Sequence, residues 1–387
     1  MGPTDSERLR VLVAGGGVAG VETALALHEL AGEKVAVTLL APERDFVQRP
    51  ARVAEPLTGR PPLRIPLADI ARHAGAELLQ DQLSRVDAGE RLVHTKAGRR
   101  LGYDALVLAL GTTAHPRFRH ALTIDETRLN EQFTALLEDV ADGGVDRIGF
   151  LVPSRMPWPL PIYELALMTA RRAAELGKEL TITVVTPEDA PLGLFGIRTA
   201  DAVSGLLAEH GVACVVSAHA ETPAPGKVAV HPGPRLLTFD RVVALPELFG
   251  PDVPGVPSED GHGFIPVDPH CAVRGLEAVY AAGDATAFPI KHGAIAAQQA
   301  ETVAASIAAR AGVPIEAHEF RPVVDGILLG AERPLHMSAH ITGGHGSSPR
   351  ADEATSWSPE TMISARYLGA YLQRSRDARL RRSLGEP

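Results

Sequence analysis

Short apolar runs, each bounded by glycine, proline or polar residues, recur along the chain and alternate with stretches of helical spacing. The first run, residues 10–14, leads through a glycine-rich segment into a helical pattern over residues 21–30 and a second run over residues 34–40. Further runs of this kind occupy residues 106–110, 148–152, 182–185 and 278–282. Apolar strands that alternate with helices are typical of α/β proteins with parallel sheets. We therefore predict an α/β fold.

The segment between the first strand and the first helix has the spacing of a phosphate-binding loop. Residues 15–20 are GGGVAG, so Gly15, Gly17 and Gly20 form the pattern G-x-G-x-x-G. The first glycine permits a tight turn, the second lets a pyrophosphate approach the backbone, and the third lets helix and strand pack closely. The phosphate then lies at the helix N-terminus, where free N–H groups favour an anion. Glu43 follows the second strand, where an acid can bind ribose hydroxyl groups.

A second unit of this kind follows, but its glycine loop is missing. Residues 37–43 (VTLLAPE) return as residues 182–188 (ITVVTPE), and this internal repeat predicts a second dinucleotide-type fold. The strand at residues 148–152 is followed not by glycines but by residues 153–161, PSRMPWPLP. Proline supplies no N–H group, and side chains block the close approach of a pyrophosphate. Two interpretations stay open for this unit: NAD(P)H bound through other contacts, or a structural spacer.

Composition restricts the class of protein. A length of 387 residues suggests two or three domains, and 45% hydrophobic residues can build a core. The net charge of −9 argues against a basic surface for nucleic acid. Two cysteines, Cys214 and Cys271, are too few and too distant for a disulfide scaffold or a CxxC pair. Neither a secretory signal nor an apolar span is expected, so we predict a cytoplasmic protein.

Two further apolar runs end in turns of small residues. Residues 106–110 lead into Gly111 and Thr112, and residues 278–282 lead into Gly283 and Asp284. A carboxylate at such a turn can accept hydrogen bonds from a polyol chain. The helix predicted from about Gly293 would direct its N-terminus to the same place.

Together these motifs resemble the pyridine nucleotide–disulfide oxidoreductase family of flavoproteins, over residues 9 to about 310. The resemblance implies two Rossmann-like domains, the second inserted in the first, and a small C-terminal region. The implied boundaries are residues 1–113 and 246–312 for a discontinuous FAD-binding domain, 114–245 for the second domain and 313–387 for the C-terminal region. It implies FAD as cofactor and leaves NAD(P)H open. The residues assigned to FAD are Gly15, Gly17, Val18, Ala19, Gly20, Glu43, Arg49, Gly111, Thr112, Gly283 and Asp284.

Within this family the chain is most similar in appearance to the sulfide:quinone oxidoreductases and the flavoprotein subunit of sulfide dehydrogenases. Residues 159–164 (PLPIYE) resemble their P-x-Y-E segment, and residues 288–293 (FPIKHG) resemble their P-x-K-x-G segment. Those enzymes carry a redox cysteine just before the first segment, where this chain has Trp158. Their partner cysteine corresponds to the region of residues 325–330. Neither cysteine of this chain matches, so both are expected to be structural, and attack on sulfide through a protein persulfide is not expected.

Three side chains are candidates for catalysis: Lys291, Trp158 and Glu164. A cation near the pyrimidine end of a flavin stabilises the anionic reduced form, so Lys291 either does this or is a surface lysine at a helix start. Trp158, with Tyr163, either lines a cavity above the flavin ring or packs between domains. Glu164 either transfers protons or lies in the first turn of a helix, where a carboxylate is favourable.

Residues 358–384 predict an amphipathic helix with an arginine-rich end. Such a helix lies on a membrane surface, docks on the FAD domain or contacts a second subunit of a homodimer; we favour docking. His336 and His340 are four residues apart, but zinc needs a third ligand held in geometry, so no metal site is predicted.

The combined prediction is an FAD-dependent oxidoreductase. It passes two electrons through the flavin from NAD(P)H or another small reduced donor to a quinone, a protein or oxygen. Two alternatives stay open: a sulfide:quinone oxidoreductase-like enzyme with an atypical site, and a non-catalytic flavin-binding sensor or partner protein. The expected location is the cytoplasm, peripheral at the membrane if the C-terminal helix lies on it.

Overall fold

The computed structural model describes residues 8–48, 55, 61–125, 127–259, 261–329, 334–342, 346–349 and 364–383 of the chain. Within these ranges the chain forms seven α-helices and seven β-sheets. The helices are α1 Val18–Ala31, α2 Leu67–His73, α3 Leu129–Ala141, α4 Leu160–Glu175, α5 Ile197–Glu209, α6 Gly293–Arg310 and α7 Arg366–Ser383.

The first parallel sheet takes four strands from the beginning of the chain and one from much later. In spatial order they are β20 Val279–Ala281, β9 Ala105–Leu108, β1 Leu9–Ala14, β2 Val35–Leu40 and β5 Glu77–Leu79. β1 pairs with β2 from Leu9 opposite Val35 to Ala14 opposite Leu40. This sheet, with α1, α2 and α6, is called the first unit below.

Apolar residues on both faces explain why β1 and β9 lie in the middle of this sheet. The last four residues of β1 and all of β9 are buried. A parallel sheet that is covered on both sides needs such continuous apolar runs. On one side, α1 and α6 pack together through small side chains that include Ala24, Ala300 and Ala304. The N-termini of these two helices are thereby held near each other.

The second parallel sheet, with α3, α4 and α5, forms the second unit. Its spatial order is β11 Leu122–Thr123, β18 Arg241–Ala244, β12 Arg147–Leu151, β13 Thr181–Val185 and β14 Val212–Val215. These strands come between β9 and β20 in the sequence, so the second unit is inserted in the first. The outgoing and returning chains pair as an antiparallel ladder of β10 Thr113–His115 and β19 Glu247–Phe249.

Four smaller antiparallel sheets complete the strands. They are β3 Asp45–Val47 with β4 Arg64–Pro66; β6 Leu83–Asp87, β7 Leu92–Thr95 and β8 Arg100–Gly102; β15 His219–Ala224, β16 Lys227–His231 and β17 Arg235–Thr238; and β21 Val323–Leu328, β22 Leu335–Thr342 and β23 Gly346–Pro349.

The chain after α6 contributes to both units. Val324 and Leu328 of β21 and Met337 of β22 belong to the core of the second unit. Leu368 and Leu372 of α7 belong to the core of the first unit. The C-terminal helix therefore docks on the unit that carries the glycine loop, as we favoured. No helix among the described residues is long and apolar enough to cross a membrane.

Two parallel sheets flanked by helices confirm the predicted α/β class. α4 begins at Leu160, because Pro161 fits the first helical turn, where no N–H donor is needed. The described part of the predicted C-terminal helix begins at Arg366, and the predicted start at residue 358 lies outside the described residues.

Candidate cofactor site

The turn from β1 into the first residues of α1 requires glycine at two positions for steric reasons. At Gly15, where φ is +124°, a Cβ atom would lie 2.0 Å from the carbonyl oxygen of Ala109. At Gly20, a Cβ atom would lie 1.9 Å from the carbonyl oxygen of Gly15. Gly20 thus allows α1 to pack directly on the turn that leaves β1, as the pattern predicts.

The surroundings of Gly17 differ from those of Gly15 and Gly20. Its φ is −81°, which any residue can adopt, and a Cβ atom there would meet no atom within 4 Å. Gly17 precedes α1, so the N–H groups of Val18, Ala19 and Gly20 belong to the first turn, where the helix has no carbonyl partner for them. The loop therefore presents backbone donors next to open space, which suits an anion.

Glu43 lies beside this loop. It follows β2, its side chain is exposed, and its Oε2 atom is 3.5 Å from the position that a Cβ atom on Gly16 would take. A carboxylate in this place can accept hydrogen bonds from a diol bound along the loop. Arg49, the other residue that we assigned to this side, lies outside the described residues.

The carboxyl ends of β9 and β20 bring the two predicted small-residue turns to the same edge of the sheet. Gly111 has a φ of +70° and open space around it, and Thr112 is partly buried. A Cβ atom on Gly283 would lie 3.0 Å from the Cβ of Ala19 and 3.3 Å from that of Ala296. Gly283 therefore lies where the N-termini of α1 and α6 meet, and the partly buried Asp284 follows it.

Gln299 of α6 holds this turn, a role that we did not predict. Its Oε1 atom accepts a hydrogen bond from the N–H of Gly283 at 2.8 Å. Thr286 donates to the carbonyl of Gly283 at 2.9 Å, and its hydroxyl lies 3.3 Å from Nε2 of Gln299. Gln299 is fully buried in an alanine-rich helix, and nothing in the sequence shows that Gly283 would be its partner.

Lys291 is buried and is not a surface lysine. Its ammonium donates to the carbonyl oxygens of Thr286 and Phe288 and lies 4.1 Å from the centre of the Phe264 ring. Burial lowers the pKa of this amine to about 8, against the opposing charge of Asp284. Lys291 thus places a positive charge in the loop that follows Asp284 and ties that loop together.

Trp158 joins the second unit to the start of α6. Its indole lies over the imidazole of His292 with the ring centres 4.2 Å apart, and it contacts Phe195 edge-on at 5.9 Å. His292 caps α6, because its Nδ1 atom accepts a hydrogen bond from the N–H of Ala294 at 3.3 Å. Burial lowers the pKa of this imidazole to about 4, so the ring is neutral at physiological pH. His292 was not among our candidates.

Glu164 is buried on α4 and faces the end of β21. Its Oε1 atom accepts a hydrogen bond from the N–H of Leu329 at 3.0 Å. Burial raises the pKa of this carboxyl group to about 8. The group therefore holds a proton at neutral pH, and it lies six residues along the chain from Trp158.

Glu188, the counterpart of Glu43 in the internal repeat, is turned into the second unit. Its Oε2 atom accepts hydrogen bonds from the hydroxyl groups of Tyr163, at 2.5 Å, and Thr186, at 2.9 Å. Its Oε1 atom accepts from the N–H of Leu192 at 3.0 Å. Both oxygen atoms are thus used inside the protein. The repeat identified Glu188, but nothing in the sequence shows that Tyr163 would bind it.

Known proteins resemble the chain in sequence and in fold, although no family model matches it. The sulfide-quinone reductase of Aquifex aeolicus is 27% identical over 232 residues, which are 56% of this chain and 53% of the relative. The match thus spans about half the length of that curated relative. The chain is a homologue of sulfide-quinone reductase.

Solved structures share the fold over most of the chain. The structure of the sulfide:quinone oxidoreductase from A. aeolicus matches with a TM-score of 0.77 at 20% identity. The match covers 88% of this chain and 86% of the oxidoreductase chain. A ferredoxin reductase from Rhodopseudomonas palustris has a TM-score of 0.64 at 18% identity, covering 82% and 79%. A NAD-dependent persulfide reductase from A. fulgidus has a TM-score of 0.62 at 17% identity, covering 86% and 63%. These matches confirm the predicted fold class.

The two regions in which the resemblance places redox cysteines meet in this structure. A Cβ atom on Gly326 of β21 would lie 3.5 Å from the indole of Trp158 and 3.0 Å from the ring of Phe195. At this contact the chain therefore has Trp158 and Gly326 where the resemblance expects two cysteines. Its two cysteines are free, and burial raises the pKa of both Cys214 and Cys271 to about 12. Neither thiol is ionised at neutral pH.

No group of three metal-binding side chains occurs among the residues that the structure describes. His336 and His340 both lie on β22 and are exposed, and they pair in register with Ile327 and Val323 of β21 respectively.

Proposed function

We propose that this protein is an FAD-dependent oxidoreductase. The observation that carries the proposal is the convergence of three turns at one edge of the first sheet: the loop at residues 15–20, the turn at Gly111 and Thr112, and the turn at Gly283 and Asp284. One turn offers free backbone N–H groups, and another offers a carboxylate. A ligand with a pyrophosphate and a polyol chain matches these groups.

The residues present fit FAD. The space beside Gly17 takes the pyrophosphate against the N-terminus of α1, since no side chain occupies it. Glu43 would accept hydrogen bonds from the adenosine ribose, and Asp284 from the ribityl chain. FAD, when bound, supplies a ring that accepts and releases two electrons.

Side chains of this protein would adjust the charge and the proton supply around that ring. The buried ammonium of Lys291 provides a positive charge next to Asp284 at pH values below about 8. Glu164 holds a proton up to about pH 8 and is shielded from water, so it can donate that proton to a reduced acceptor at neutral pH. Trp158 is the third residue that we assign to the site. It would form the wall between the two units.

A donor would reduce the flavin directly rather than through a protein persulfide. Trp158 and Gly326 meet where the resemblance expects the cysteine pair, whereas Cys271 is buried and Cys214 is partly buried at other places in the fold. For the acceptor, homology to a sulfide-quinone reductase favours a quinone over a protein or oxygen.

Anaerobic reduction of the purified protein tests the proposal. We expect a yellow protein whose flavin is bleached by a small reduced donor and reoxidised by a quinone. Mixing with NADH, NADPH and sulfide in turn identifies the donor class. A protein that retains no flavin would contradict the proposal, whereas bound flavin that none of these donors reduces would favour a non-catalytic flavin protein.

A second candidate is a sulfide:quinone oxidoreductase with an atypical site, and it is favoured by the homology just described. Its distinguishing result is rapid bleaching by sulfide that persists in the double variant Cys214→Ser, Cys271→Ser. Sulfide would then reach the flavin without any thiol of the chain.

A further inference from the structure

An open cleft lies at the carboxyl edge of the second sheet. Its volume is about 460 Å³, and it lies between the loop after β12, residues 156–159, and residues 188–200, which follow β13. Ligands of open parallel sheets bind beyond the carboxyl ends of the strands. Small-molecule sites have volumes of roughly 300–1,000 Å³. Position and size both suit a small ligand.

The walls of this cleft are mainly apolar. Met156, Pro157 and Pro159 form one side, and Leu194 and Ile197 form the other. Ile197 is 70% exposed, the largest exposure of any large hydrophobic side chain in the described ranges. An apolar ligand would remove this side chain from water, which favours binding.

The charges of the cleft disfavour a phosphate. Its charged lining residues are Glu188 and Asp189. Glu188 is already bonded to Tyr163, Thr186 and Leu192, and Asp189 accepts a hydrogen bond from Ser217 at 3.0 Å. The two acids would repel a pyrophosphate. The prolines have no N–H groups that could bind it.

The loop at residues 156–159 connects the cleft to the first unit. Pro157 and Pro159 line the cleft, and between them Trp158 lies on His292, the residue before α6. On the opposite wall, Phe195 follows Leu194 and contacts the same indole. A ligand in the cleft therefore touches residues directly adjacent to Trp158.

We propose that the second-unit cleft binds an uncharged, largely apolar ring compound of quinone size in place of a nicotinamide dinucleotide. The quinone class rests on the proposed function, whereas the apolar and uncharged character rests on the walls. The second unit is then a small-molecule binding unit, and its occupancy alters the contact between Trp158 and His292.

Calorimetric titration of the oxidised protein with menadione, a small uncharged naphthoquinone, tests this site. We expect Ile197→Glu to weaken menadione binding about tenfold, because it puts a charge in place of an apolar contact. Leu236→Glu is the matched control, since Leu236 is also exposed, at 58%, but lies on β17. It should bind menadione as the unchanged protein does.

Fluorescence gives a second measurement. The chain has two tryptophans, so Trp357→Phe leaves Trp158 as the sole reporter. Menadione should change its emission, and the change should require a higher concentration in Ile197→Glu. ADP-ribose should neither change the emission nor compete.

Menadione affinity that is equal in Ile197→Glu and Leu236→Glu would overturn the proposal. Competition by ADP-ribose would also overturn it and would assign the cleft to a dinucleotide. Both measurements use the oxidised protein and report on binding alone. A failure of the flavin assay with intact menadione binding would therefore affect only the proposed function.

Discussion

The two units contain the same strand-and-acid pattern and use it in opposite ways. In the first unit, Glu43 follows β2, is exposed and lies beside Gly16. In the second unit, Glu188 follows β13 and is bonded to Tyr163, Thr186 and Leu192. One carboxylate is available to a ligand, and the other supports the fold.

The loops before these acids account for the difference. In the first unit, the glycine loop borders open space, so the acid beside it can contact a ligand bound there. In the second unit, Trp158 and its flanking prolines fill this position, and α4 begins directly after them. Tyr163 of α4 is then placed to donate its hydroxyl to Glu188. An acid at the end of the second strand is therefore a sign of nucleotide binding only when the loop before it is open.

The largest effect is expected from closing the glycine loop. Gly20→Ala places a Cβ atom 1.9 Å from the carbonyl oxygen of Gly15. We expect overpacking to destabilise the first unit by about 1–3 kcal/mol and the protein to lose its flavin. The flavin-to-protein absorbance ratio and thermal unfolding measure both effects.

Gly17→Ala separates cofactor binding from folding, because its Cβ atom would meet nothing within 4 Å. The variant should keep the unfolding temperature of the flavin-free protein and still bind less flavin. Gly205→Ala, at an equally open position on α5, should retain full flavin content. Unchanged flavin in Gly17→Ala would show that the pyrophosphate does not approach this loop.

A pH effect is expected next, and it belongs to the first unit. Glu22 of α1 is fully buried and accepts hydrogen bonds from the N–H groups of Tyr367, at 2.9 Å, and Leu368, at 2.6 Å, at the start of α7. Burial raises the pKa of this carboxyl group to about 7, and the nearby Glu301 of α6 adds to the shift. The docked state thus binds a proton that an exposed glutamate would release.

The sign of the effect follows from that proton. Docking of α7 should weaken as the pH rises from about 4.5, the ordinary pKa of glutamate, to about 7, by roughly 3 kcal/mol in all, and roughly 1 kcal/mol of this is lost above pH 6. Burial also raises the pKa of the neighbouring Glu301, against the charge of Arg366, so Glu301 adds to the same pH dependence. Around the same interface, His73 has a pKa lowered by burial and by Arg374 and His28, with Glu29 opposing, so protonation of His73 disfavours docking at acid pH.

Hydrogen exchange of the α7 amides, corrected for the intrinsic exchange rate, measures this docking. Protection should fall between pH 6 and pH 8.5 in the unchanged protein. Glu22→Gln cannot ionise, so its protection should change much less over that range. Equal pH dependence in the two proteins would show that Glu22 is not the group that titrates.

A smaller effect is expected from Glu43→Ala. The exposed carboxylate contributes a charge-assisted hydrogen bond to a bound ribose, and its loss should weaken flavin retention by about 1–2 kcal/mol. Dialysis against flavin-free buffer measures the retention. Glu247→Ala, in the ladder between the units, is the control and should retain flavin fully. Thermal stability should stay the same in both variants, because neither residue belongs to a core.

Features set within one short segment could be predicted from the sequence, whereas contacts between segments far apart along the chain could not. The glycine loop, Glu43 and the repeat that contains Glu188 follow from spacing along single strand–turn–helix segments, whereas the insertion of the second unit was implied by the family resemblance. Contacts between distant segments were not predicted: Gln299 to Gly283, Trp158 to His292, and Glu22 to α7 join residues 16, 134 and about 345 positions apart. Such pairs depend on how helices pack, and a single sequence has no periodic signal for them.

The smallest effect is expected from Tyr163→Phe in the second unit. It removes the hydroxyl that donates to Glu188 at 2.5 Å, while Thr186 and Leu192 still bind the carboxylate. We expect a loss of about 1 kcal/mol in the free energy of unfolding and no change in flavin content. Tyr103→Phe is the matched control, since the buried hydroxyl of Tyr103 has no hydrogen-bond partner among the described residues, and its removal should cost nothing. Flavin loss in Tyr163→Phe with normal stability would mean that Glu188 serves the cofactor, and the opposite roles of the two acids would no longer hold.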